Sequence, residues 1–242
     1  MSNIEINHLL SERYLALQHP LGRARMWIQH EWHRLYWRVL LAGAESAKRL
    51  LDIIASFLAL IILSPLLALI AILLKLEDGG PVFFSQIRVG QFGREFKMYK
   101  YRSMCPKAEE RLKDLLARNR HTDGVTFKIA DDPRITRVGK WLRKFSLDEL
   151  PQFYNVLIGD MSLVGPRPPV PREVALYSLA DRRRLLVKPG ITCIWQISGR
   201  SEIDFSGQVL LDVEYIETHT FWVDVKILAK TVPAVLSGKG AC

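Results

Sequence analysis

The chain has 242 residues, enough for one domain with an appendage and for a proper hydrophobic core. Lysine and arginine number 34 against 25 acids, a formal charge of +9 that suits nucleic acid, anionic lipid or phosphorylated substrates without choosing among them. Cys105, Cys193 and Cys242 are too scattered for a disulfide framework or zinc site, the six histidines lack ligand spacing, and neither a Walker A motif nor G-x-G-x-x-G occurs.

Residues 1 to about 20 are polar and mixed, with no charged n-region leading into an apolar run, so no secretory signal is expected. From Arg23 the chain reads as a helix in which Trp27, Trp32, Tyr36 and Trp37 alternate with Arg23, Arg25, Arg34 and Arg38. Aromatics mixed with cations suit a membrane headgroup layer, and equally a protein core or a second subunit.

Ile53 to Leu74 is apolar except for Ser56 and Ser64. About 20 residues span a bilayer, but Pro65 removes a backbone hydrogen bond and disfavours helix at Ser64. Basic residues flank both ends: Arg38, Lys48 and Arg49 before, then Lys75, Arg88, Arg94, Lys97, Lys100 and Arg102 after. Under the positive-inside rule both ends prefer one side, which a helix broken at Ser64-Pro65 and turned back satisfies and a single kinked span does not. Each half reaches about 16 Å at about 1.5 Å per residue, half the apolar core. The Ser64 hydroxyl is placed to satisfy backbone freed by Pro65.

After the Asp78-Gly79-Gly80-Pro81 turn come short extended pieces around Gly90 and Gly93, ending in Lys100-Tyr101-Arg102-Ser103-Met104. Ala108 to Arg120 reads as a charged amphipathic helix with Leu112, Leu115 and Leu116 inward. Asp131-Asp132-Pro133 reads as a turn rather than a metal site, and a helix carrying Trp141 and Leu142 follows.

The segment Arg143 to Pro168, RKFSLDELPQFYNVLIGDMSLVGPRP, sets Asp148 and Glu149 between Arg143 and Arg167. Ser146 or Asp148 is expected to cap a short helix through Phe153, Tyr154 and Val156, whose electropositive start favours an anion. Ser146 to Glu149 also fits a capping box, which explains Glu149 but neither the second acid nor the Gly-Pro-Arg-Pro turn. A helix is expected over Ala175 to Leu186 with Arg182, Arg183 and Arg184 at the surface. KPGITCIWQISGRS, Lys188 to Ser201, follows, then a helix from about Phe205 to Thr218 carrying Asp212. A last helix, Phe221 to Leu236, is expected to pack through Phe221, Trp222 and Ile227.

From about Lys48 to the C-terminus these blocks, in this order, resemble the bacterial sugar transferases, also called monotopic phosphoglycosyl transferases. The resemblance implies an α+β, mostly helical fold: a small cytosolic catalytic domain with a re-entrant membrane helix hairpin and interfacial amphipathic helices. Residues 1–47 would be an extension, interfacial or oligomerising, 48–78 the hairpin broken at Ser64-Pro65, and 79–242 the catalytic domain. Lys48, Arg49 and Asp52 match the motif at the membrane entry. Cys193 stands where the family usually has glycine, which bears on local backbone geometry.

The implied reaction moves a sugar-1-phosphate from a UDP-sugar to undecaprenyl phosphate through a covalent aspartyl-phosphosugar intermediate, releasing UMP, on the cytoplasmic face of the bacterial inner membrane, as the first membrane step of exopolysaccharide or O-antigen assembly. Asp148 would be the nucleophile, and Glu149 would position groups or act as acid–base. Arg143, Arg167, Arg200 and Arg102 would contact phosphates. Mg²⁺ would sit on the diphosphate with Asp148 as its protein ligand. Nucleic acid is not an expected partner, and the Trp-rich segment can support a homodimer. A non-catalytic membrane-surface scaffold and a plain glycosyltransferase releasing UDP are the rival readings.

Overall fold

The computed structural model describes residues 18–106, 108, 132–199 and 203–237. Predicted features at residues 1–17, most of the Ala108–Arg120 helix, Asp131, Arg200 and Cys242 lie outside them. The chain divides between Leu50 and Leu51 into two units.

Helix α1 (Pro20–Ile62) begins in the first unit. There Trp27, Trp32 and Tyr36 are exposed, together with Leu21, Ile28 and Leu35.

In the second unit, α2 (Ser64–Asp78) follows the end of α1 after a break at Leu63, and the two helices meet with a 59° bend. The break is where Pro65 demands it. Ile61 O loses the N–H that a residue four positions on would normally supply, and the Ser64 hydroxyl donates to that carbonyl instead at 2.8 Å. Among the described residues no single helix is long and apolar enough to cross a membrane, whereas the bent pair passes by length and composition. Its outer surface is apolar: Ile54, Phe57, Leu58, Ile61, Ile62, Leu69, Ile72, Leu73 and Leu76 are exposed. So large a contiguous apolar patch is unusual on a protein surrounded by water alone.

The buried side of this hairpin meets the rest of the unit. Ile70 and Leu74 join Tyr101 and Leu142 in one apolar cluster, against which Leu147 and Leu150 pack. The Tyr101 hydroxyl donates to Leu67 O at 2.8 Å, and Glu77 accepts from Val138 N–H at 3.0 Å. Asp52 is buried and accepts the Leu163 N–H at 3.0 Å. Gly79, with φ +69°, ends α2 in the left-handed conformation open to glycine.

Strands β1 (Phe83–Val89) and β2 (Glu95–Tyr101) form the expected antiparallel hairpin, with Phe83 opposite Tyr101. Helices α3 (Arg137–Lys144) and α4 (Gln152–Ile158) bracket the two carboxylates. Strand β3 (Ser162–Val164) runs parallel to β4 (Gly190–Thr192). Gly165 and Gly190 bring these strands' backbones together, since a Cβ on Gly190 would lie 2.1 Å from Gly165 N. Then come α5 (Pro171–Ala175), α6 (Ile194–Ser198), α7 (Phe205–Thr218) and α8 (Phe221–Ser237). The main core packs Phe96 and Met98 of β2, Val156, Met161, Leu163, Val164, Tyr215 and Ile227. The described fold is mostly helical, with two small two-stranded sheets.

Two expectations are corrected. No helix covers Ala175 to Leu186: α5 ends at Ala175, and Asp181–Leu186 is a separate 3₁₀ turn. That turn carries Arg184 inward, because Asp212 draws its guanidinium under the surface. In α8, Ile227 is buried as expected, but Phe221 and Trp222 are exposed.

Asn155 is fully buried and bridges helix and hairpin, accepting from Tyr99 N–H at 3.0 Å and donating to Lys97 O at 2.7 Å. Removing it orphans both backbone groups, each at about 1–3 kcal/mol. Asn155→Ala should therefore lower the unfolding free energy by about 2–4 kcal/mol in urea titrations followed by circular dichroism.

Candidate active site

The turn that carries the carboxylates begins with strain. Ser146 has φ 52°, a left-handed conformation rare for a residue with a side chain. Its N–H donates to Arg143 O, which closes α3, and its own carbonyl accepts from Glu149 N–H. The chain thereby reverses into a 3₁₀ turn, Leu147–Glu149, with Leu147 and Leu150 in the cluster under α2 and the acids on the opposite side. Neither Ser146 nor Asp148 caps α4, whose N-cap position is Pro151 with no side-chain bond. The capping box is absent as well. Glu149 turns away from Ser146 because two cations offer more than one backbone N–H.

Those cations are Lys100, at the end of β2, and Arg167, in the Gly-Pro-Arg-Pro loop. Both donate to the same oxygen, Glu149 Oε1, at 2.7 and 3.2 Å. Burial pushes the Glu149 carboxyl up, but Lys100 and Arg167 outweigh it and hold it at about 2. Glu149 is therefore held as the anion that braces both cations. Burial lowers the Lys100 ammonium pKa against the pull of Glu149. The Arg167 loop is fastened from behind: Arg88 donates to Pro168 O at 2.9 Å, and Val89 N–H to Pro169 O.

Asp148 lies beside this clamp and differs from it. It is only 7% exposed, yet no described residue donates a hydrogen bond to its carboxylate. Burial raises its pKa above the usual carboxylate range, while Lys100, Arg143 and Arg167 pull it down and Glu149 pushes it up. The Arg143 guanidinium also reaches this position, with no hydrogen-bond acceptor among the described residues. Asp148, Glu149, Lys100, Arg143 and Arg167 all line one cavity of about 1360 Å³. That exceeds the roughly 300–1,000 Å³ of a typical small-ligand pocket.

The other sequence candidates fall elsewhere. Arg102 touches the cavity, but its guanidinium is engaged by the Asp78 carboxylate and by Pro81 O at 2.6 Å. That contact, chiefly the hydrogen bond from Arg102, holds the Asp78 carboxyl at about 2. Asp132 receives Arg134 Nε at 2.9 Å, as befits a turn. Asp52 supports β3, Ser64 repairs the break before Pro65, and Lys48 and Arg49 are half-buried in the first unit. Arg200 lies outside the described residues.

Sequence reasoning missed the role of Lys100, which was grouped with the basic flank. Its only signal was membership of the same block as Arg102. It also missed the second buried ion pair. Arg184 Nε and Nη2 both reach Asp212 Oδ2, at 2.7 and 2.6 Å, and Nη1 donates to the Tyr177 hydroxyl at 3.0 Å. Burial pushes the Asp212 carboxyl up to about 6 against the pull of Arg184. The Trp195 indole N–H also draws it down, while falling short of a formed hydrogen bond.

The family model described as bacterial sugar transferase matches residues 43–238. Galactosyl transferase CpsE of Streptococcus agalactiae is 53% identical over 196 residues, 81% of this chain and 43% of its own length. Undecaprenyl-phosphate galactose phosphotransferase of Salmonella typhimurium is 46% identical over 197 residues, 80% of this chain and 41% of its own. Exopolysaccharide production protein ExoY of Rhizobium meliloti is 42% identical over 198 residues, 81% of this chain and 88% of its own. The matched region is thus about two fifths of the first two relatives and most of the third.

Arg184 and Asp212 are 4% and 1% exposed, so breaking the pair strands a charge in the interior. Arg184→Met alone should destabilise by about 3–5 kcal/mol, and Arg184→Met with Asp212→Leu should recover most of the loss in urea unfolding.

Proposed function

The chain belongs to the bacterial sugar transferase family, and we propose that it transfers a sugar-1-phosphate from a UDP-sugar to undecaprenyl phosphate, releasing UMP. The observation that carries the reading is Asp148: a buried carboxylate without a hydrogen-bond donor among the described residues, facing a large cavity between three cations. A scaffold has no use for such a group. The name of the Salmonella relative, an undecaprenyl-phosphate galactose phosphotransferase, supports the same reaction.

In the proposed mechanism, Asp148 Oδ attacks the phosphorus that bears the sugar. The bond from that phosphorus to the bridging oxygen breaks, and UMP leaves with the electron pair. A phosphate oxygen of the polyprenyl phosphate then attacks the same phosphorus and releases Asp148, giving a polyprenyl diphosphate sugar. Charge on the non-bridging oxygens is met by the Arg143 guanidinium, which has no acceptor among the described residues, and by Lys100 and Arg167, which Glu149 holds in place. Glu149 positions these cations and transfers no proton. The burial that raises the Asp148 pKa also makes the carboxylate a stronger nucleophile than a solvated one once ionised.

Among the described residues no group of three or more His, Cys, Asp or Glu forms a metal cage, and Glu149 is taken by cations. A Mg²⁺ here would have Asp148 as its one protein ligand, the number of protein ligands such an ion needs when it arrives with phosphates. When bound, the ion neutralises charge on the diphosphate. The apolar surface of the bent helix pair supports a re-entrant hairpin in the cytoplasmic leaflet, which brings a lipid-borne phosphate to a soluble nucleotide.

Three experiments test this reading. With Mg²⁺ and a panel of UDP-sugars, the protein should release UMP in a stoichiometric burst before lipid is added. Asp148→Asn should abolish release, and Arg167→Ala should lower kcat by about 10²–10³-fold; release of UDP would discard the mechanism. Activity should fall on acidification through an Asp148 pKa above the ordinary carboxylate value. Lys100→Met should move that acid limb to higher pH, since removing a positive neighbour disfavours the carboxylate. Cysteine-accessibility labelling should place both flanks of the hairpin on the cytoplasmic face, and labelling on opposite faces would exclude re-entry.

A further inference from the structure

Three consecutive residues at the end of β2 reach three different places. Lys100 donates to Glu149 Oε1 in the acid turn at 2.7 Å, and Tyr101 donates to Leu67 O in the middle of α2 at 2.8 Å. Arg102 reaches Asp78, the last residue of α2. Leu67 and Asp78 lie about 16 Å apart along a helix that rises about 1.5 Å per residue. Two attachments so far apart fix the angle of α2 as well as its distance from β2.

The Arg102 contact is the more elaborate. Nη1 and Nη2 take the two Asp78 oxygens as a fork, and Nε donates to Pro81 O at 2.6 Å, so each guanidinium nitrogen has an acceptor. The guanidinium lies on Gly80, where a Cβ would stand 3.0 Å from its central carbon and from both terminal nitrogens. The Arg102 N–H donates to Val82 O at 3.0 Å, and Asp78 Oδ1 accepts the Gly80 N–H at 3.0 Å. One residue thus closes the turn, 78–82, by which the chain passes from α2 into β1. A guanidinium so fully committed suits a joint better than a phosphate site.

The joint adjoins the site on both sides. Lys100 stands two residues before Arg102, and the carbonyl of Ser103, the residue after it, accepts the Thr136 N–H at 3.2 Å. Gly139 of α3 is pressed against the same carbonyl, since a Cβ there would fall 2.0 Å from the Ser103 oxygen. Helix α3 leads directly into Ser146 and the two acids. We propose that Arg102 is a positioning residue for the transfer reaction, and that its fork on Asp78 holds Lys100 against Glu149 without touching substrate. The proposal rests on the transfer reading above, in which Lys100 meets charge on the transferred phosphate.

Asp78→Asn and Arg102→Gln each remove the fork, and the isosteric Asp78→Asn carries the test if Arg102→Gln fails to fold. The first measurement needs no turnover: acetic anhydride labelling of Lys100 in the full chain, read by mass spectrometry, with melting temperatures as the check on folding. The Lys100 side chain is 14% exposed and its ammonium is bonded, and it should react at least about threefold faster in both variants. With the best UDP-sugar of the panel above, both variants should lower kcat about tenfold and change KM less than about twofold. In a Lys100→Met background, Asp78→Asn should cost less than about twofold, because the group it positions is gone. If Lys100→Met leaves too little turnover to measure, the labelling and the kcat–KM split decide. Unchanged Lys100 labelling in the folded variants overturns the proposal. So does a raised KM with kcat intact, which would put Arg102 on the donor's phosphates. Folded wild type that releases no UMP overturns the transfer reading instead, and faster labelling would still support the fork's hold on Lys100.

Discussion

The arrangement around Asp148 depends on one oxygen. Glu149 Oε1 takes Lys100 from the end of β2 and Arg167 from the Gly-Pro-Arg-Pro loop, tying three segments together at one point. Two cations close together repel, and each is costly to bury alone. A carboxylate between them makes the arrangement tolerable. It also leaves the neighbouring carboxylate in a net positive surrounding. Adjacent acids in one short turn thus take opposite states: Glu149 bonded and held at about 2, Asp148 without a donor among the described residues and raised by burial.

The turn is anchored to the bent helix pair as well as to the cavity that Asp148 lines. Leu147 and Leu150 pack with Ile70 and Leu74, and Tyr101, next in the chain to Lys100, donates to a carbonyl of α2. Asp52 holds the N–H of Leu163, on the strand that leads into the Arg167 loop. The hairpin is therefore part of the framework of the site. A shift of the hairpin would move the carboxylates with it.

Much of this was legible in the chain because the physics is local. Pro65 dictated the break, and Ser64 was the nearby hydroxyl able to repair it. Helix α7 follows the predicted Phe205 to Thr218, with Asp204 as its cap. The clustering of Asp148 and Glu149 with Arg143 and Arg167 was also visible, since all four fall in one segment. What stayed hidden depends on partners far apart in sequence. Lys100 finds Glu149 across 49 positions and Arg184 finds Asp212 across 28, and no periodicity encodes either pairing. The capping-box expectation failed for the same reason. S-x-x-E describes what Glu149 does when nothing stronger is near, and Lys100 and Arg167 are stronger.

Ser146 has a consequence for which sequences can occupy the turn. Its hydroxyl caps nothing, and what the position requires is a left-handed backbone. Glycine adopts that conformation without steric cost and asparagine at little cost, whereas valine or isoleucine would be strained. The backbone at 146 therefore constrains the residue through a dihedral angle. A related chain with glycine or asparagine there would keep its acids in register despite losing the apparent motif, and one that kept the serine motif on a right-handed backbone would not.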